Sequence, residues 1–161
     1  MCRSAVLGNA WKLNPKCART LNAIAMLSHE MRANAELPHG IASRNRLGLL
    51  CEAVEHDRSC LPALLNLADS IVFQADASVV TRKLAKTKAD LYRDALRLDP
   101  KCARAHRGLA CELLQNDPLP DERWYEGVVV NGRQPTSGHD HLLQALRLDP
   151  TCGPAWFQLW R

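Results

Sequence analysis

Seven cysteines and six histidines are the residues of this 161-residue chain best equipped for chemistry. Four of the cysteines, Cys17, Cys60, Cys102 and Cys152, recur at intervals of 43, 42 and 50 residues. His139 and His141 bracket Asp140. Thiolates and imidazoles bind zinc and softer transition metals, and a thiolate is also a nucleophile. Neither set has the spacing such roles need. Structural zinc draws on close ligand pairs, and the chain has no C-x-x-C. Cysteines one repeat apart fall on helix layers about 10 Å apart. The four therefore read as small hydrophobes in an inter-helix turn, and Cys2, Cys51 and Cys111 as structural too. Two residues along a helix is about 200° of rotation, so His139 and His141 face apart and are expected on an exposed first turn. His106 reads as a partly buried, hydrogen-bonded residue. Asp117, Asp121 and Glu122 read as a solvated loop. No phosphate loop or nucleophile elbow is present. The expectation is a protein without a catalytic centre, metal or cofactor.

The cysteines mark a larger pattern. Ala95-Leu-Arg-Leu-Asp-Pro100 returns intact as Ala145-Leu-Arg-Leu-Asp-Pro150, each two residues before a cysteine. Ala10-Trp-Lys-Leu-Asn-Pro15 precedes Cys17, and Ala53-Val-Glu-His-Asp-Arg58 precedes Cys60. Periods of 20 to 50 residues belong to stacked arrays, in which each unit buries its apolar face on a neighbour. Leu91, Tyr92, Ala95 and Leu98 before one proline, and Ala105, Leu109 and Leu113 after it, recur at helical spacing. Proline ends one helix and suits the start of the next. The predicted unit is helix, tight turn, helix.

Residues 79–100 and 129–150 align without gaps. Thr87…Asp90 and Ser137…Asp140 read as capping boxes, which place helix starts near 88 and 138. Asn131-Gly132 after three valines predicts a β-hairpin. The equivalent segment 78–84 is read as extended, though it lacks a turn glycine.

From Ala95 to Ala110 and from Ala145 to Leu159 the order of residues resembles the tetratricopeptide repeat family. Trp156 stands where that family prefers tryptophan; Leu21, Leu64 and His106 hold the site in the other copies. The resemblance implies an all-α, right-handed solenoid of antiparallel helix pairs, here with short β-hairpin insertions within units. The units would be 1–15, 16–58, 59–100, 101–150 and a partial 151–161 of one array, itself expected to be a fragment of a longer one. They exceed the family's usual length of about 34 residues, with the surplus at 35–42, 75–86 and 116–136. The family's concave groove, carried over position by position, implies partner contacts at Arg19, Asn22, Met26, Leu65, Asn66, Asp69, Arg104, Arg107, Cys111 and Phe157. That mixture suits an acidic peptide or protein with an apolar anchor. The implied function is a non-catalytic protein-binding scaffold.

Composition agrees with one soluble domain. Apolar content is 47%, enough for a core, and aromatics are only 5%, so the core must be rich in Leu and Ala. No 18-residue apolar run or signal peptide is evident. Odd, dispersed cysteines point to reduced thiols and a cytoplasmic setting. Net charge is only +4. Basic residues from Arg82 to Arg107 leave a nucleic-acid adaptor as the alternative, but no aromatics interleave with them as a base-stacking platform requires. Trp156, Phe157, Leu159 and Trp160 make no polar cap, so self-association or further repeats are expected there.

Overall fold

The computed structural model describes residues 3–30, 45–72, 74–116 and 137–160. Every regular element among them is an α-helix: α1 (Arg3–Leu13), α2 (Ala18–Glu30), α3 (Arg46–His56), α4 (Leu61–Ser70), α5 (Gln74–Leu84), α6 (Lys88–Leu98), α7 (Ala103–Asn116), α8 (Gly138–Leu148) and α9 (Gly153–Trp160). The chain divides into two compact units, Met1–Thr87 and Lys88–Arg161. That boundary falls inside the 59–100 unit expected from the repeat.

Four of the connections are one turn built four times. In each, an Asn or Asp closes the preceding helix by donating its N–H to an alanine carbonyl: Asn14 to Ala10, Asp57 to Ala53, Asp99 to Ala95 and Asp149 to Ala145. Its side chain then accepts the N–H two residues on, at Lys16, Ser59, Lys101 and Thr151, over 2.9–3.1 Å. Its carbonyl accepts the N–H of Cys17, Cys60, Cys102 or Cys152 over 3.1–3.2 Å. The cysteine carbonyl begins the next helix by accepting from Leu21, Leu64, His106 or Trp156. None of these bonds uses the N–H of the second turn residue. Proline fits there at positions 15, 100 and 150 without losing a donor, and Arg58 can replace it.

In the first unit α1 packs on α2, α2 on α3 and α4, and α3 on α4 and α5. Helix α4 is the most enclosed, with all six residues Ala63–Ala68 buried. Leu21, Ile24, Leu49, Leu50, Leu64 and Leu67 are fully buried. Each contributes about 1.5–3 kcal/mol relative to exposure, an upper bound because unfolded chains already bury some surface. Helix α3 starts at Asn45, whose side chain accepts the Gly48 N–H at 2.7 Å.

The extended reading of 78–84 is corrected: those residues lie within α5. The segment lacks a hairpin turn, and Ala77, Val80 and Leu84 share one helical face, with Val80 fully buried. Packing of that face offsets the modest helix penalty of Val79 and Val80. Asp76 in the first turn and Arg82 and Lys83 in the last complement the helix dipole. Ala85 ends α5 in the left-handed region at φ 52°, donating its N–H to the Thr81 carbonyl. No strand occurs among the described residues. The hairpin expected around Asn131-Gly132 lies outside them, as do the acidic loop and the 35–42 surplus.

In the second unit α6 packs on α7, α7 on α8 and α8 on α9. Helices α6 and α8 begin at Lys88 and Gly138, where the cap residues place them. At Ser137 both arms of the capping box are formed, each at 3.1 Å. Gly138 brings α8 hard against α7: a Cβ there would lie 2.7 Å from Leu114 Cγ and 3.2 Å from the Ala110 carbonyl oxygen. The core between them joins Ala110, Leu142, Leu146 and Ala155, flanked by Leu114, Cys152 and Leu159.

Candidate binding face

The ten residues that the family resemblance implies as partner contacts divide between the two units. Arg19, Asn22 and Met26 lie on α2, and Leu65, Asn66 and Asp69 on α4. Arg104, Arg107 and Cys111 lie on α7, and Phe157 on α9. Helices α2 and α4 pack directly, and two of these residues meet. Asn66 Nδ2 donates to Asn22 Oδ1 at 2.9 Å. Asn22 and Asn66 each stand five or six residues after a turn cysteine, so the bond ties nearly equivalent positions of successive repeats.

Accessibility sorts the rest. Arg19 is exposed, Asn22 and Asp69 are half-buried, and Leu65 and Asn66 are buried. Met26 is half-buried, and its Sδ receives Arg46 Nη2 of α3 at 3.6 Å. In the first unit the accessible chemistry is thus a cation, a carboxylate and a thioether, together with the half-buried Asn22 of the amide pair. In the second, Arg104 and Phe157 are exposed while Arg107 and Cys111 are half-buried.

Three of the basic residues proposed for nucleic acid are matched by acids. Lys88 pairs with Glu112, Arg93 with Asp90 and Arg97 with Asp94, each at 2.8 Å. A solvent-exposed pair such as Arg93–Asp90 adds little stability, but all three lower the net positive field that phosphate binding requires.

The histidines differ from expectation. His141 is buried, not on an exposed turn, because it lies three residues after Gly138 on the side of α8 that packs against α7. Its Nδ1 stands 2.8 Å from Nδ1 of His106 on α7, and the rings are tilted with centroids 5.1 Å apart. His106 Nε2 lies 3.0 Å from the Pro100 carbonyl oxygen. Trp156 makes the same bond one repeat later, from Nε1 to the Pro150 carbonyl at 3.0 Å. A carbonyl only accepts, so His106 carries its proton on Nε2 and offers Nδ1 as acceptor. His141 must then donate from Nδ1. Burial, foremost, pushes both histidines below the ordinary imidazole value. His141 falls to about 4, with the His106 charge the second cause. The pair was legible in principle, since the gapless alignment sets His141 on Leu91, which is fully buried.

All six described cysteines are free thiols. Bonds from the Thr20 hydroxyl and the α2 backbone hold Cys17 below the usual thiol value, whereas burial pushes Cys51 up to about 11. Cys2 lies outside the described residues. Among those residues no group of three or more His, Cys, Asp or Glu could hold a metal ion, and no helix is long and apolar enough to cross a membrane. No family model and no curated protein matches the chain.

Proposed function

We propose that the chain is a non-catalytic protein-binding scaffold of tetratricopeptide type, taking an acidic peptide or protein segment with an apolar anchor. The observation that carries this reading is the Asn22–Asn66 hydrogen bond between α2 and α4. It supports the reading because α2 and α4 pack directly there, with Arg19 three residues before Asn22 and Asp69 three residues after Asn66. The matching helix of the second unit offers Arg104 and Arg107, three residues apart on one side of α7. Arginine suits carboxylate ligands because its planar fork forms paired, charge-assisted bonds.

The experiment is titration of acidic peptides carrying one aromatic or aliphatic anchor against the folded chain. Arg104→Glu with Arg107→Glu is expected to weaken the best binder at least tenfold, about 1.4 kcal/mol. Helicity should be unchanged, because neither the exposed Arg104 nor the half-buried Arg107 belongs to the buried core. Binding unaltered in the double variant would reject the α7 residues of the second unit as contacts. Affinity for single-stranded oligonucleotides that falls steeply with salt would favour the nucleic-acid adaptor instead.

A further inference from the structure

On α6 the arginines are matched by carboxylates of their own helix: Arg93 meets Asp90 and Arg97 meets Asp94, each at 2.8 Å. Arg46 is placed differently. It is the first residue of α3, and no acid stands in that helix's first turn. The residues three and four positions on are Leu49 and Leu50, both fully buried. Helix α2, against which α3 packs, carries no acid from Ala18 to Ser28. The half-buried Arg46 side chain reaches instead to Met26 of α2, whose Sδ receives Nη2 at 3.6 Å. A thioether is a weak acceptor. Nε of the same guanidinium is buried and has no hydrogen-bond partner among the described residues.

Nε and Nη2 lie along one edge of the guanidinium plane. That edge is the fork with which arginine takes a carboxylate in two parallel bonds. In Arg46 one prong meets only sulfur, and the other has no described acceptor. A buried donor without an acceptor costs stability, and an arriving oxygen recovers it. The fork also opens beside the candidate face. Met26 stands four residues after Asn22 and seven after Arg19, so the three share one side of α2. The family resemblance does not mark Arg46, because it lies on α3, the second helix of its unit, and not on a first helix that lines the groove.

We propose that Arg46 is a carboxylate-binding residue of the first unit, and that an acidic side chain of the bound segment takes its Nε–Nη2 edge in place of the Met26 sulfur. Methionine is unbranched, with three rotatable bonds, so the thioether turns aside and packs on the ligand's apolar atoms. That the carboxylate comes from a peptide rests on the function proposed above; the site itself needs only a carboxylate.

Nitrogen–proton NMR of the full chain tests the site with sodium acetate. The Nε–H signal of Arg46 is identified by its loss in Arg46→Lys. It should shift saturably with acetate, together with the Met26 methyl signal, and stay in place with sodium chloride at the same ionic strength. A signal that ignores acetate, or moves equally with chloride, overturns the proposal. The second arm uses two blocked peptides, one of glutamates around a single leucine and one with glutamines in their place. Arg46→Gln should weaken the glutamate peptide about tenfold, whereas the glutamine peptide should bind wild type and variant alike. Arg46→Lys keeps the charge without the fork and should show an intermediate loss. If circular dichroism shows that Arg46→Gln costs helicity, Arg46→Lys takes its place. Glutamate-peptide affinity equal in wild type and both variants would overturn the role of Arg46 while the scaffold function stands. A wild-type chain that responds to acetate at Arg46 but binds neither peptide would reject the scaffold function and keep the carboxylate site.

Discussion

The Nδ1 atoms of His106 and His141 face each other across 2.8 Å between α7 and α8. Only one proton can occupy that gap. Two imidazolium rings would turn donor against donor in a buried site, so the pair holds only while at least one ring is neutral. Asp99 and Asp140 favour charging, but burial outweighs them, and Arg93 opposes charging of His141.

The second unit should therefore lose stability in mild acid. Both folded values lie below the unfolded one near 6.5, so the unfolded chain binds more protons between them and stability rises with pH. Stability is complete above about 6.5 and declines as pH falls towards about 4. For His141 the loss is on the order of 3 kcal/mol once it is complete. Denaturant midpoints from pH 7.5 to 4.5 check this. His141→Leu, which restores the residue type of position 91, should flatten the profile; an unchanged slope would assign the acid sensitivity to carboxylates.

Ala85→Gly should stabilise the chain by about 0.5–1 kcal/mol. Ala85 holds φ 52° at the end of α5, a conformation costing a residue with a Cβ about 1–2 kcal/mol. Glycine removes that strain but loses more entropy on folding, so only part is recovered. Urea midpoints of the two proteins give the difference directly.

Gly108→Ala should do the reverse, although alanine is the better helix former by about 1 kcal/mol. A Cβ at Gly108 would run into the ring of buried Tyr92 on α6. Overpacking of this kind costs about 1–3 kcal/mol. Calorimetry should show a lowered Tm for Gly108→Ala, and Tyr92→Leu in the same chain should recover part of it. A raised Tm in the single variant would mean that the ring moves aside freely.

Ser137→Ala removes one arm of the box that starts α8 and should cost about 1 kcal/mol. Asp140 would keep its bond to the residue 137 N–H, so Asp140→Ala in the same chain should add a further, smaller loss. Amide exchange confined to the first turn of α8 would locate the effect; a global change of the same size would not.

Local chemistry decided much of this protein, and it was readable. The recurring Asn/Asp-x-x-Cys turn needs only bonds within a few residues of itself, so four copies of the motif give four copies of one geometry. The starts of α6 and α8 were legible for the same reason, because a cap acts within one turn. At the candidate face the family resemblance listed Asn22 and Asn66 for two different units, but only the structure showed that they bond and that Leu65 and Asn66 are closed over; exposure there depends on how α2 and α3 surround α4. Contacts between elements were decided only in three dimensions. Residues 78–84 contain valines that suit a strand, and burial of Val80 on one helical face overrode that preference. His139 and His141 differ by two positions and look alike in a linear chain. Only the docking of α8 on α7 buries one of them, fixes its tautomer and lowers its basicity, because desolvation comes from neighbours distant in sequence.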